Sequence, residues 1–314
     1  MILGDAPGAI ELLLGPGPVV PAMQKESREA FASGDYGAAL EAMPRLFKGE
    51  RQALIFGLCA VLLWSTVATG FKLGLAVLEP AQLLFLGTLV SWLLFAVLAA
   101  VRKTYAVASG EFLTVVGLGV LNPFLYYLIL FEAYDRLPAQ IAQPLNYTWA
   151  IALALLAVPI LKQTLTRRTM AGIVVSYAGV VILLSPNPSD ANAPLSTTGI
   201  GLALGSALLW ASYWLYNTKC RSDPLAIMFV SFTVGLVLVA AACGLGPGWP
   251  QWTPASLLFG AWVGLIEMGV TFLLWQKALK TTAHAGRISQ LIFLAPFLSM
   301  ILIGTVLGET IRVT

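Results

Sequence analysis

Charge is what this chain has least of: among 314 residues only 11% are charged, against 58% hydrophobic. A soluble domain carries roughly twice that charged fraction. There is one histidine, His284, and no acidic pair at catalytic spacing, which argues against a membrane hydrolase or metalloenzyme. There is no Walker loop, so the chain carries no signature of an ATP-driven pump. Three cysteines suggest neither a disulfide framework nor a metal cluster; Cys59, Cys220 and Cys243 read as small residues in or beside apolar runs. The N-terminal segment lacks the basic start and small-residue cleavage site of a signal peptide.

What is present is apolar length. Crossing the hydrocarbon layer takes about 20 apolar residues in a helix. Nine stretches qualify, at 54–75, 81–101, 112–131, 138–161, 169–185, 199–218, 224–245, 255–275 and 285–307. Closed barrels are the other spanning solution, but continuous runs such as Ala150–Leu161 oppose their alternating ten-residue strands. The fold class is therefore an all-α integral membrane protein, with the lipid bilayer as its first partner.

The net charge of +3 reflects where the cations sit and does not indicate a nucleic-acid partner. With the N-terminus inside, Arg45, Lys48 and Arg51 precede the first span. Further inside loops hold Arg102 and Lys103; Lys162, Arg167 and Arg168; Lys219 and Arg221; and Lys277, Lys280 and Arg287. The outside loops keep only Arg136, with Arg312 in the closing tail, while Pro186–Thr198 and Gly246–Pro254 hold no Lys or Arg. That asymmetry obeys the positive-inside rule and orients the N-terminus toward the cytoplasm.

The pattern also doubles. Leu62-Leu63-Trp64 returns as Leu208-Leu209-Trp210, and Leu161 through Arg167 returns loosely as Leu307 through Val313, each shifted by 146 residues. Internal repetition of a helical membrane unit suggests a path between two halves. The division expected is a flexible cytoplasmic tail over 1–50, a first repeat over 51–185 with five spans, and a second over 199–314 with four. Within the tail, a short amphipathic helix is expected around Ala38–Met43. Met23 or Met43 is a candidate alternative translation start, since Met43 would leave a short basic leader before the first span. The chain stops at Thr314, where the repeat calls for a tenth helix.

Polar groups inside hydrocarbon are costly and mark a candidate pathway. Glu267 lies near the middle of the eighth span, twelve residues in, or about 18 Å along the helix. Hydrocarbon disfavours the charged form of a carboxyl, so this position suits a proton carrier. Asn122 stands at the matching depth of the third span, 145 residues earlier, with Tyr126 beyond it. The sixth span places Trp210, Tyr213, Trp214 and Asn217 on one face at i, i+3, i+4 and i+7. The fourth span does the same with Gln140, Gln143 and Tyr147 beside Pro144; the ninth carries Ser289, Gln290, Phe293 and Pro296. Trp64 matches Trp210 across the repeat. Lys72 follows Arg51 by 21 residues, or about 31 Å of helix, and reads as a lysine snorkelling to the outer interface. His284 reads as a solvated helix end. Gly117 and Gly119 sit where small residues let helices approach closely, and Pro144, Pro159 and Pro296 mark bending points.

On these residues the chain resembles the drug/metabolite transporter superfamily, specifically its EamA-type permeases. The resemblance covers about residues 52–314. It rests on the doubled five-span unit, the run Gly57–Thr69 with Leu62-Leu63-Trp64-Ser65, and Leu307-Gly308-Glu309 closing the ninth span. Leu165-Thr166-Arg167-Arg168 with Ala171-Gly172 opening the fifth span adds to it. The resemblance implies ten helices in two inverted repeats, no cofactor, and movement of small metabolites by alternating access. Aromatic amino-acid exporters are among the members. The departures are the absent tenth helix, the tail, and Lys162-Gln163 where Gly-Glu is expected.

The expectation is thus a secondary carrier of a bacterial inner membrane, exporting or exchanging a small organic metabolite. Its cavity would be lined by Trp64, Asn122, Tyr126, Gln140, Gln143, Tyr147, Trp210, Tyr213, Asn217, Glu267 and Gln290, with Glu267 coupling to protons. No metal is expected, and a homodimer is left open. A proton-independent facilitator of the same fold, or a non-transporting sensor or assembly protein on this scaffold, are the rival readings.

Overall fold

Proline fixes where several of the membrane helices begin, because its missing N–H costs nothing in a first turn. Helix α3 (Pro80–Arg102) starts on Pro80, with Glu79 and Gln82 forming a reciprocal capping box. Helix α9 (Pro224–Leu245) starts on Pro224, where the Asp223 carboxylate accepts the Leu225 N–H at 2.8 Å. Helix α10 (Pro254–Trp262) starts on Pro254 under a Thr253–Ser256 capping box.

The computed structural model describes residues 36–161, 195–217, 219–282 and 291–309, with scattered positions between 171 and 182 and at 288. The remaining helices are α1 (Tyr36–Ser65), α2 (Val67–Leu75), α4 (Phe112–Gly119), α5 (Tyr126–Arg136), α6 (Ala139–Tyr147), α7 (Trp149–Leu161), α8 (Thr197–Asn217), α11 (Thr271–Thr281) and α12 (Leu294–Val306). Two π segments, Val120–Leu125 and Val263–Val270, join α4 to α5 and α10 to α11. Among the described residues there is no strand, and seven helical stretches are long and apolar enough to cross a membrane. These seven coincide with all the expected spans except the fifth and ninth. The fifth lies largely outside the described residues; of the ninth, Leu294–Val306 is seen as an apolar helix. The short helix expected around Ala38–Met43 runs on without a break into the first span.

The chain folds into two compact units. Among the described residues, one combines those of 36–64 with those of 271–295, and the other combines those of 65–270 with those of 296–309. In the smaller unit Trp64 meets Phe272 and Trp275 edge-on, at 6.1 and 5.3 Å between ring centroids, and the Thr282 hydroxyl donates to Glu50. In the larger unit α3 lies along α10 and its π segment, while α9 lies along α4 and the other π segment. Bare backbone allows both approaches. A Cβ added at Gly264 would stand 2.6 Å from the Gly87 carbonyl oxygen, and one at Gly119 would stand 2.5 Å from that of Ser231. Close approach of small residues is how membrane helices gain packing without help from water. Leu113, Val101 and Val237 are among the large apolar side chains left exposed, as a surface facing lipid requires.

Candidate functional site

Both π segments interrupt helices whose middle would otherwise be regular. The first has an evident cause: Pro123 lacks an N–H to continue the ladder, and Asn122 before it leaves helical geometry at φ −145°, ψ 121°. The second spans Val263–Val270 and contains no proline. Asn122 lies at the kink of the first segment and Glu267, 145 residues on, lies within the second, and π insertions such as the second concentrate at functional sites. Interrupted spans at corresponding positions of two halves point to a binding site.

Glu267 faces inward, with 6% of its surface exposed. Its Oε1 accepts a 2.9 Å hydrogen bond from the Tyr127 hydroxyl. Tyr126 and Tyr147 are also within electrostatic reach of the carboxyl. From Tyr127 the aromatic contacts continue to Tyr126 at 4.6 Å. Tyr126 stacks on Trp210 at 4.4 Å and 24°, and Trp210 stacks on Tyr213 at 5.5 Å and 21°. Trp214 meets Trp210 edge-on at 5.7 Å. The Trp210 ring is therefore covered on one face by Tyr126 and stacked against Tyr213 as well. Such contacts contribute about 0.5–1.5 kcal/mol each beyond burial.

Polar groups frame the stack. Tyr126 donates to Asn146 Oδ1 at 3.4 Å, and Asn146 Nδ2 donates to Ser206 Oγ at 3.0 Å. Gln143 contacts the Tyr147 hydroxyl. Asn122 is fully buried against Tyr213 but off hydrogen-bond geometry, so that neither of its amide atoms bonds to another described residue.

A second arrangement fixes the elbow that carries Gln140 and Gln143. Lys72 is half-buried, and its ammonium donates to the carbonyls of Tyr134 at 2.8 Å and Leu137 at 3.1 Å. The snorkelling expected of it is replaced by this contact, because the carbonyls ending α5 supply the negative pole that a cation seeks. At the adjoining start of α6 the Glu309 carboxylate accepts the N–H groups of Ala139 and Gln140, at 2.9 and 3.1 Å. Each charge sits at the helix end whose dipole favours it.

Of the residues singled out from sequence, the structure gathers Asn122, Tyr126, Gln143, Tyr147, Trp210, Tyr213 and Glu267 in the larger unit. Gln140 is buried on the first turn of α6, and Asn217 is half-buried at the end of α8. Trp64 belongs to the smaller unit, and Gln290 lies outside the described residues. Tyr127 and Asn146 were not singled out. Tyr127 adjoins Tyr126 and Asn146 adjoins Tyr147, so helical periodicity places each neighbour about 100° off the chosen stripe. The available signal was chemical: a buried carboxyl needs a donor.

A bundle of helices with an apolar skin, paired interruptions and buried polar groups defines a membrane transporter. The chain belongs to the EamA-like transporter family, whose model matches residues 51–185 and 197–314. It is similar to the aromatic amino acid exporter YddG of Ancylobacter novellus, 26% identical over 80% of this chain and 87% of that protein. It is also similar to an uncharacterized transporter of Archaeoglobus fulgidus, 25% identical over 79% of this chain and 87% of that one. The uncharacterized transporter YvbV of Bacillus subtilis shares 22% identity over 81% of this chain and 83% of its own length. A solved crystal structure with 21% identity has the same fold, at a TM-score of 0.61 over 83% of this chain and 90% of its own.

Proposed function

We propose that this protein is a secondary carrier that exports or exchanges a small organic metabolite by alternating access, with amino acids as the favoured class and aromatic ones first. The observation that carries this reading is the buried Glu267 hydrogen-bonded to Tyr127 and continuous with the Tyr126–Trp210–Tyr213 stack. A ring-bearing substrate would exchange places with one of the stacked rings, at little cost because π-faces substitute for one another. The amides of Asn122 and Gln143 would serve its polar end. The name of the Ancylobacter relative supports the same class. In this proposal the repeats over 51–185 and 199–314 are the moving halves, behind a cytoplasmic tail over 1–50, in the inner membrane of a bacterium. A homodimer is compatible with it.

Counterflow of labelled L-phenylalanine in proteoliposomes tests the reading. Wild-type protein should support it, Trp210→Phe should keep most of it, and Trp210→Ala should lose most. Equal counterflow by wild type and Trp210→Ala would sink the stack as a substrate site. A thermal-shift screen against amino acids, nucleosides and amphipathic drugs would redirect the search if phenylalanine does not move.

Proton coupling through Glu267 is a separate proposal, supported by a buried carboxyl partnered by a neutral phenol. Glu267→Gln should abolish pH-driven flux while keeping counterflow. Unchanged flux at every pH in that variant would end the proposal, and wild-type flux that does not respond to a pH gradient would favour the proton-independent facilitator.

A further inference from the structure

The two π segments differ in cause. Val120–Leu125 contains Pro123, whereas Val263–Val270, which carries Glu267, contains no proline. A π turn holds one more residue than an α turn, so its presence decides which way the residues after it face, by about 100° per residue. Something must hold the second segment in that register.

A hydroxyl from α3 reaches its backbone. Ser91 is fully buried, and its Oγ lies 2.8 Å from the carbonyl oxygen of Gly264 and 2.9 Å from that of Gly87. Gly264 is the second residue of the π segment and precedes Glu267 by three, within one turn. The surrounding fit leaves no slack, since a Cβ at Gly87 would meet Val263 Cγ1 at 2.6 Å. Two helices held backbone to backbone thus bring one hydroxyl onto the segment that aims Glu267.

The other half of the molecule provides a control. Counting from the opening prolines, Ser91 is eleven residues after Pro80, and Gly235 is eleven residues after Pro224. Four residues earlier the identities are exchanged: Gly87 stands in α3 and Ser231 in α9. Where Ser91 meets a proline-free π segment, Gly235 meets Pro123, and an added Cβ there would fall 2.5 Å from the proline ring. One half breaks its helix with proline and clears space with glycine. There the α9 hydroxyl, Ser231, donates to the Val115 carbonyl at 3.2 Å, ahead of the segment; the other half keeps every N–H and places its hydroxyl on a carbonyl within the segment.

We infer that Ser91 is a positioning residue: its hydroxyl on the Gly264 carbonyl holds Val263–Val270 in π register and thereby turns Glu267 onto Tyr127. The inference rests on the reading of Glu267 as a site residue, but its test needs no transported substrate. Dicyclohexylcarbodiimide, an apolar carboxyl reagent, is applied to the purified full chain in detergent, and modification of Glu267 is followed by peptide mass. Tyr127→Phe calibrates the assay by deleting the partner hydroxyl directly. Ser91→Ala should accelerate labelling of Glu267 by about fivefold, the factor that one net hydrogen bond is worth. Ser91→Cys, a near-isosteric and weaker donor, should fall between, which a loss of packing would not produce. A Ser91→Ala rate equal to wild type, while Tyr127→Phe is accelerated, overturns the inference. So does a Ser91→Cys rate equal to that of Ser91→Ala. Absence of L-phenylalanine counterflow by the wild type would count against the proposed substrate and leave these rates interpretable.

Discussion

Tyr127 and Glu267, 140 residues apart in sequence, meet through a 2.9 Å hydrogen bond in which the phenol donates to the buried carboxyl. Both side chains are buried, Tyr127 completely. The bond ties the two π-interrupted spans together at the residue the membrane tolerates least. Tyr127→Phe keeps the ring and its contacts but removes the donor. It should cost roughly 1–3 kcal/mol, seen as a lower apparent melting temperature in detergent. A melt indistinguishable from wild type would mean that the contact contributes nothing to holding the spans together.

Gly117 and Gly119 look alike in sequence and do different things. A Cβ at Gly119 would stand 2.5 Å from the Ser231 carbonyl oxygen, whereas nothing lies within 4 Å of one at Gly117. Gly119→Ala should destabilise by about 1–3 kcal/mol through overpacking. Gly117→Ala should be neutral or stabilising by roughly 0.5–1 kcal/mol, because alanine loses less backbone entropy in a helix. Melting temperatures of the two variants in one detergent decide the matter, and the reverse order would contradict the assigned packing.

Lys72 and Glu309 hold the connection between α5 and α6 from its two sides. Glu309→Gln and Lys72→Met should each cost on the order of 1 kcal/mol, since each charge complements a helix end in a partly buried place. Because Gln140 is among the residues held, Gln140→Cys should react faster with a thiol reagent when combined with Glu309→Gln. An unchanged rate would confine Glu309 to stability alone.

Cys220 lies between α8 and α9, outside the spanning segments. Burial, and secondarily the Glu111 carboxylate, pushes its thiol above the ordinary cysteine range. A raised value means less thiolate at neutral pH, so maleimide labelling should be slow there and rise steeply on the alkaline side of pH 9. Under the proposed orientation an impermeant maleimide should reach Cys220 from the cytoplasmic side. Labelling of intact cells from outside would reverse the orientation.

Read as a pattern, the sequence announced much of this. Leu62 and Leu208 are 57% and 53% exposed, while Trp64 and Trp210, two residues on, are 8% and 6% exposed. The repeated Leu-Leu-Trp therefore separates an outer face from an inner one in both places, as periodicity alone indicates. The stripe of Trp210 and Tyr213 was legible for the same reason, and so was the depth of Glu267.

Hydropathy and helical periodicity are local and additive, and a bilayer enforces them span by span, which is why the chain by itself determined an all-helical membrane protein with inward-facing aromatics. Partners are a different matter. That Glu267 meets Tyr127, that Lys72 turns to carbonyls, and that Ser91 reaches Gly264 depend on helices brought together from far along the chain. A one-residue change of register in a π segment redirects a side chain by about 100°, and no window of sequence records it. Only the tertiary structure, where backbones close to contact at Gly87, Gly119, Gly235 and Gly264, decided which polar groups would meet.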